Sequence, residues 1–210
     1  GEYGNGSACY EFTMPESPDY FTEIFTAGFD LANSRLQLLK VGGLDVYAAC
    51  AETSNELPVN PAGGTVISLG DDASSSISLP FSFEFYGVAY TSVFVGSNGY
   101  LTFGSGDTTY TEDITGHFSL PRIAPLFADL DPSAGGTVSY RNLGSLLAIT
   151  WEEIPEFNAT SSNTFQVVLD ATGDITIKGT SENAYLEAGG DLAVARGITI
   201  QKLELELEGD

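Results

Sequence analysis

With 210 residues, 42% of them hydrophobic, and a formal net charge of −22, the chain is long enough to bury one sizeable core. It is a poor partner for nucleic acid or an anionic membrane surface: 29 acidic residues face only 7 basic ones, and phosphate binding needs a Lys/Arg patch. No apolar run reaches the roughly 18 residues of a membrane-crossing helix, and so large a negative charge repels itself unless salt screens it or cations such as Ca²⁺ bind it.

The first 30 residues are rich in Gly, Tyr and Phe, with Pro15 and Pro18, and carry no clear period. Leu36-Gln37-Leu38-Leu39-Lys40 and Leu44-Asp45-Val46-Tyr47-Ala48, joined by Val41-Gly42-Gly43, predict a β-hairpin. Its second arm runs into Cys50. The chain has one other cysteine, Cys9, so a single disulfide or a pair of buried thiols fits the count. Residues 54–64 hold Pro58, Pro61 and a Gly pair and read as a connection. They divide an N-terminal extension and hairpin (1–60) from a larger unit (61–210).

In that unit short strand-like runs recur at 65–69, 77–85, 92–95, 100–103, 123–127, 137–140, 146–151, 164–169, 174–178 and 197–200, with Gly, Asn, Asp and Pro between them. No long window repeats at 3.6 residues. The expected fold is therefore all-β, an antiparallel β-sandwich wound like a jelly roll, with the hairpin as a small N-terminal addition. Asn98-Gly99 between two aromatic runs predicts a tight turn with both residues at positive φ. The last stretch, Leu203-Glu204-Leu205-Glu206-Leu207-Glu208, alternates strictly, with Leu203, Leu205 and Leu207 on one face. It reads as a closing edge strand, or as a strand that adds to a neighbouring molecule's sheet.

The residues offer little for catalysis. His117 is the only histidine, it lies in a Gly/Thr/Ser-rich loop, and no G-x-S-x-G elbow accompanies it. One His and two distant Cys do not make a structural zinc site. Gly104-Ser105-Gly106-Asp107 lacks the Lys and the helix of a phosphate loop. Glu152 and Glu153 point to opposite faces if one strand runs through both, so they are no glycosidase pair. No enzymatic activity is expected. Carboxylates are the abundant functional group, and Asp129-Leu130-Asp131 sets two of them on one side of an extended segment, with Asp107 in the preceding loop. Oxygen-only ligands suit Ca²⁺, so Asp107, Asp129 and Asp131 are the candidate metal residues; no other cofactor is expected. Asn5-Gly6-Ser7 and Asn158-Ala159-Thr160 fit the N-glycosylation acceptor pattern.

Residues 79–178 resemble the nidogen-type extracellular domain and its relatives in plexin-domain-containing surface proteins and bacterial secreted proteins. The likeness is carried by Phe85-Tyr86-Gly87, by Ser97-Asn98-Gly99-Tyr100-Leu101-Thr102-Phe103-Gly104, and by Ile123-Ala124-Pro125-Leu126-Phe127-Ala128-Asp129-Leu130. It continues in Gly136-Thr137-Val138-Ser139-Tyr140, Ala148-Ile149-Thr150-Trp151-Glu152-Glu153-Ile154-Pro155 and Thr164-Phe165-Gln166-Val167-Val168-Leu169. Residues 182–210 depart from that pattern. The resemblance implies a secreted or cell-surface, non-catalytic module, with no catalytic residues to carry over. Phe83, Phe85, Phe94, Tyr100, Phe103, Phe127 and Trp151 are then core and near-core aromatics. Adhesion or assembly with a protein partner is the expected role; a self-polymerising subunit joined by terminal strands is the alternative, and a glycan-binding module the third.

Overall fold

Ser74–Phe85 shows how this sequence makes strands. Ile77, Leu79, Phe83 and Phe85 are buried while Ser76, Ser78, Pro80 and Ser82 between them are exposed, the period of two of a half-buried strand. The computed structural model describes residues 8–10, 20–21, 34–45, 47–111, 119–160, 162–179 and 199–201, and no helix occurs among them.

In chain order the strands are β1 (Ala8–Tyr10), β2 (Tyr20–Phe21), β3 (Ser34–Lys40), β4 (Tyr47–Thr53), β5 (Thr65–Val66), β6 (Ser74–Phe85) and β7 (Val88–Gly96). They continue as β8 (Leu101–Thr102), β9 (Arg122–Ala124), β10 (Thr137–Asn142), β11 (Leu146–Ile154), β12 (Asn163–Asp170), β13 (Ile175–Gly179) and β14 (Thr199–Gln201). An eight-stranded sheet has the order β1-β4-β3-β13-β12-β11-β10-β5, and a six-stranded sheet the order β2-β14-β9-β8-β7-β6. Every pairing is antiparallel, and the sheets pack as a β-sandwich. Within it β6–β9 and β10–β13 each form a meander of consecutive neighbours. The predicted hairpin is β3–β4, and it joins the larger sheet through β3 against β13, with Leu38 opposite Ile175.

Both sheets feed one core. Trp151 stacks on Phe165 from the larger sheet, with ring centroids 4.9 Å apart, and Phe103 stacks against Phe83 and Phe85 from the smaller. Each such buried ring contributes on the order of 1.5–3 kcal/mol. The expected aromatics Phe83, Phe85, Tyr100, Phe103, Phe127 and Trp151 are buried, and Phe94 is half-buried. The Trp151 indole N–H crosses between the sheets to donate to Gly96 O at 3.0 Å.

At one end of the sandwich the hairpins interlock. Lys40 N donates to Asp174 Oδ1 at 2.8 Å, the Lys40 ammonium pairs with Glu84, and the Tyr47 hydroxyl reaches Glu84 O and Gly173 O. Burial, with Asp174 and Glu84 nearby, raises the Tyr47 phenol and keeps it protonated. The other end gathers the β5–β6 connection, the β7–β8 turn and the loops before β10 and after β11. Two bulges shape the strands. The β6–β7 register shifts between Ser78 and Phe83, around Pro80; the β11–β12 register shifts between Trp151 and Ile154, where Glu153 has φ 57°.

Candidate functional site: an acidic loop end

The site begins with a turn that differs from the one expected. Gly99 has φ 77°, but Asn98 is not among the residues at positive φ. A Cβ on Gly99 would lie 1.9 Å from Leu126 O, so the close approach of the β9–β10 loop demands glycine. Asn98 serves through its side chain instead. It is fully buried, its Nδ2 donates to Asp72 Oδ1 at 3.0 Å and to Thr109 O at 3.3 Å, and its Oδ1 accepts from Leu130 N at 2.9 Å. One amide thus ties the β5–β6 connection, the loop after β8 and the loop after β9.

That tie assembles carboxylates from distant parts of the chain. Asp71 and Asp72 follow the buried Leu69 and are fixed by a reciprocal pair, Ser97 N to Ala73 O at 2.8 Å and Ala73 N to Ser97 Oγ at 2.9 Å. Asp129 is set by its carbonyl, which accepts from Phe157 N at 2.8 Å. Oxygens of Asp71, Asp72 and Asp129 lie within 4.8 Å of one another. Desolvation pushes the Asp129 carboxyl up to about 6, with the charges of Asp72, Asp71, Asp131 and Glu156 adding to it. Asp71 is raised by desolvation and then by Asp131 and Asp72. Its Oδ1 is buried and meets no hydrogen-bond donor among the described residues.

The grouping differs from the one expected of Asp107, Asp129 and Asp131. Asp107 is committed elsewhere: its Oδ1 accepts from Thr109 N at 3.0 Å and Thr109 Oγ1 at 2.7 Å, and its Oδ2 pairs with the fully buried Arg122. Burial alone would raise this carboxyl; the Thr109 hydrogen bonds and the Arg122 charge bring it below the usual range. The Arg122 guanidinium lies 4.2 Å from the centre of the Tyr100 ring and 5.1 Å from that of Phe127. Asp131 adds its charge to the cluster, but its Oδ1 closes a turn onto Ser133 N at 2.9 Å. Asp71 and Asp72 were missed because only the sheet topology brings the β5–β6 connection beside the β9–β10 loop; an Asp pair just ahead of a strand was the available signal.

Of the other expected residues, Cys9 stands opposite Cys50 in the β1–β4 ladder. Asn158 is exposed between β11 and β12. Asn5, Leu203, Leu205 and Leu207 lie outside the described residues, as does His117. Around the cluster two rings are exposed: Tyr110, next to Thr109, and Phe157, whose backbone holds Asp129.

An antiparallel two-sheet sandwich with irregular loops collected at one end defines an all-β sandwich module. The chain belongs to the NIDO-related family, whose sequence pattern matches residues 47–208. The match takes in both the β4 arm of the hairpin and the Leu-Glu stretch, beyond the 79–178 carrying the resemblance above. A curated relative is alpha-tectorin of Mus musculus, 28% identical over half of this chain; the aligned part is 6% of that protein's length. No solved structure matches the chain.

Proposed function

We propose that the chain is a non-catalytic extracellular module that acts in adhesion or assembly by binding a protein partner through its acidic loop end. The observation that carries this reading is the charge layout there: Asp71, Asp72 and Asp129 gather their oxygens, Asp131 adds its charge nearby, and the neighbouring cation, Arg122, is spent on Asp107. Family membership supports an extracellular place, and a surface with unbalanced carboxylates favours a basic partner surface and steers its approach. The full chain, immobilised and tested against extracellular proteins carrying basic patches, is expected to bind in a salt-sensitive way and to lose binding in Asp72→Asn/Asp129→Asn. Binding that ignores both salt and these substitutions would refute the role of this end. Turnover of any polymer, abolished by a single carboxylate change, would refute the non-catalytic reading.

Ca²⁺ is a second element of the proposal, favoured by the buried Asp71 Oδ1. Ligands 2.3–2.6 Å from a common ion lie at most about 5 Å apart, as the trio's oxygens do. A cation would satisfy the orphaned oxygen and relieve the repulsion that raises Asp129. Calorimetric titration of chelator-treated protein with Ca²⁺ tests this; absence of both heat and a shift in melting temperature removes the ion.

The polymer reading has less support. The family pattern extends through Leu203, Leu205 and Leu207, and β14 just before them lies inside the six-stranded sheet, between β2 and β9. Both favour a closing strand of this domain over a donated one. Light scattering of the full chain would revive polymerisation if it found concentration-dependent oligomers that a truncation near Gln201 abolished. Hits for Tyr110- or Phe157-dependent binding on a glycan array would favour the carbohydrate reading.

A further inference from the structure

We propose that Asn158 is an N-glycosylation acceptor and that the first sugar of its glycan covers the exposed ring of Phe157. The inference rests on the extracellular reading above and on the local geometry of the β11–β12 connection.

Asn158, Ala159 and Thr160 are all exposed, so the whole acceptor pattern stays on the surface once the sandwich closes. The turn is held by its backbone, with Ala159 N donating to Glu156 O at 3.0 Å and Phe157 N donating to Asp129 O at 2.8 Å. Asn158 sits at φ 55°, a conformation that Asn tolerates better than most residues. Its side chain has no hydrogen-bond partner among the described residues, which leaves Nδ2 available. By contrast Asn98 and Asn163 are fully buried and lie in no acceptor pattern. Phe157, the residue before, leaves 46% of its surface in water. An aromatic face so exposed is unfavourable alone, and the C–H face of a sugar is an apolar surface that can cover it.

The chemistry is group transfer from a polyprenyl-pyrophosphate-linked oligosaccharide. Asn158 Nδ2 attacks the anomeric carbon and the N–C1 bond forms as the C1–O bond breaks. The pyrophosphate leaves with the electron pair, and one amide proton passes to a base of the transferase. The product is a secondary amide that keeps the carbonyl acceptor and one N–H donor, and it adds a bulky polar cover beside Asp129.

The test is secretion of the full chain from a host with an N-glycosylation pathway, followed by peptide mapping before and after enzymatic removal of N-glycans. Secretion is imposed by the host, so an unmodified Asn158 counts against the site and not against the extracellular reading. The expected result is an occupied Asn158 that is lost in Thr160→Ala and kept in Thr160→Ser, variants that leave the Asn158 backbone untouched. Glycan removal is expected to lower the melting temperature of the wild type and to leave that of Phe157→Ser unchanged. An unmodified Asn158, or an occupied one whose removal shifts both proteins equally, would overturn the proposal.

Discussion

Asn98 Oδ1 accepts the Leu130 amide at 2.9 Å inside the core, while the same side chain holds Asp72 with its other atom. The loop end is thereby built around a neutral amide able to donate on one side and accept on the other. Asn98→Ala would orphan the buried Leu130 N–H, at about 1–3 kcal/mol for the unsatisfied group, while Thr109 O would keep the Tyr100 hydroxyl as its donor. Urea unfolding should show a loss of about 1–3 kcal/mol. Asn98→Asp should cost at least as much, because its carboxylate would face both Asp72 and Thr109 O.

Gly99→Ala is expected to be among the most damaging changes of a single methyl. The new carbon meets Leu126 O, a backbone atom, at 1.9 Å, and the position holds φ 77°. Relief requires the β7–β8 turn or the β9–β10 loop to move, so a loss of more than about 2 kcal/mol is expected in thermal or urea unfolding.

The raised Asp129 carboxyl sets the direction of a pH dependence. Its folded value of about 6 lies above that of the unfolded chain, so the folded state holds the proton more tightly. The cost of ionising it is absent below the unfolded value near 4 and fully present above about 6. Metal-free wild type should therefore gain stability from this group as pH falls from 7 to about 5, and Asp129→Asn should flatten that part of the profile. Melting curves in chelator across this range check the sign.

Arg122 and Asp107 form a pair that is costly to halve. The guanidinium is fully buried between Tyr100 and Phe127, and Asp107 is nearly so. Arg122→Met would keep much of the packing but strand the carboxylate, a change worth about 3–5 kcal/mol. The paired Arg122→Met/Asp107→Asn variant should recover part of that loss, and a double-mutant cycle measures how much.

The ladder position of Cys9 opposite Cys50 predicts a disulfide. Non-reducing peptide mapping should recover the linked pair. Reduction should lower stability by about 3–4 kcal/mol, as closure of a loop of roughly 40 residues implies.

Most of the sandwich was legible because its strands alternate. β6 displays its apolar face with a period of two, and the aromatic residues expected in the core are buried apart from the half-buried Phe94, while Tyr47, Tyr86 and Phe165 join them. The hairpin around Gly42-Gly43 was readable from turn chemistry, but its pairing with β13 was not: that contact joins Leu38 to Ile175 across more than half the chain, and no local pattern encodes it. Asp129 was legible as a member of the acidic group for the same reason as the strands, a simple spacing. Asp71 and Asp72 were not, since their partner is reached only through a folded topology. Asn98 was read as a turn residue because Asn-Gly has a strong backbone meaning; its burial, which turns the side chain into a structural donor and acceptor, is a tertiary property.

Among the described residues β6 is both the longest strand and the outer member of its sheet, the arrangement most open to recruitment by a foreign chain. Yet Pro80 lacks an N–H and the register slips around it, so the free rim cannot offer an unbroken row of donors and acceptors. A visiting strand would find two short landing places separated by a gap. Among the described residues, this longest ladder is thus poorly suited to seed growth into fibres.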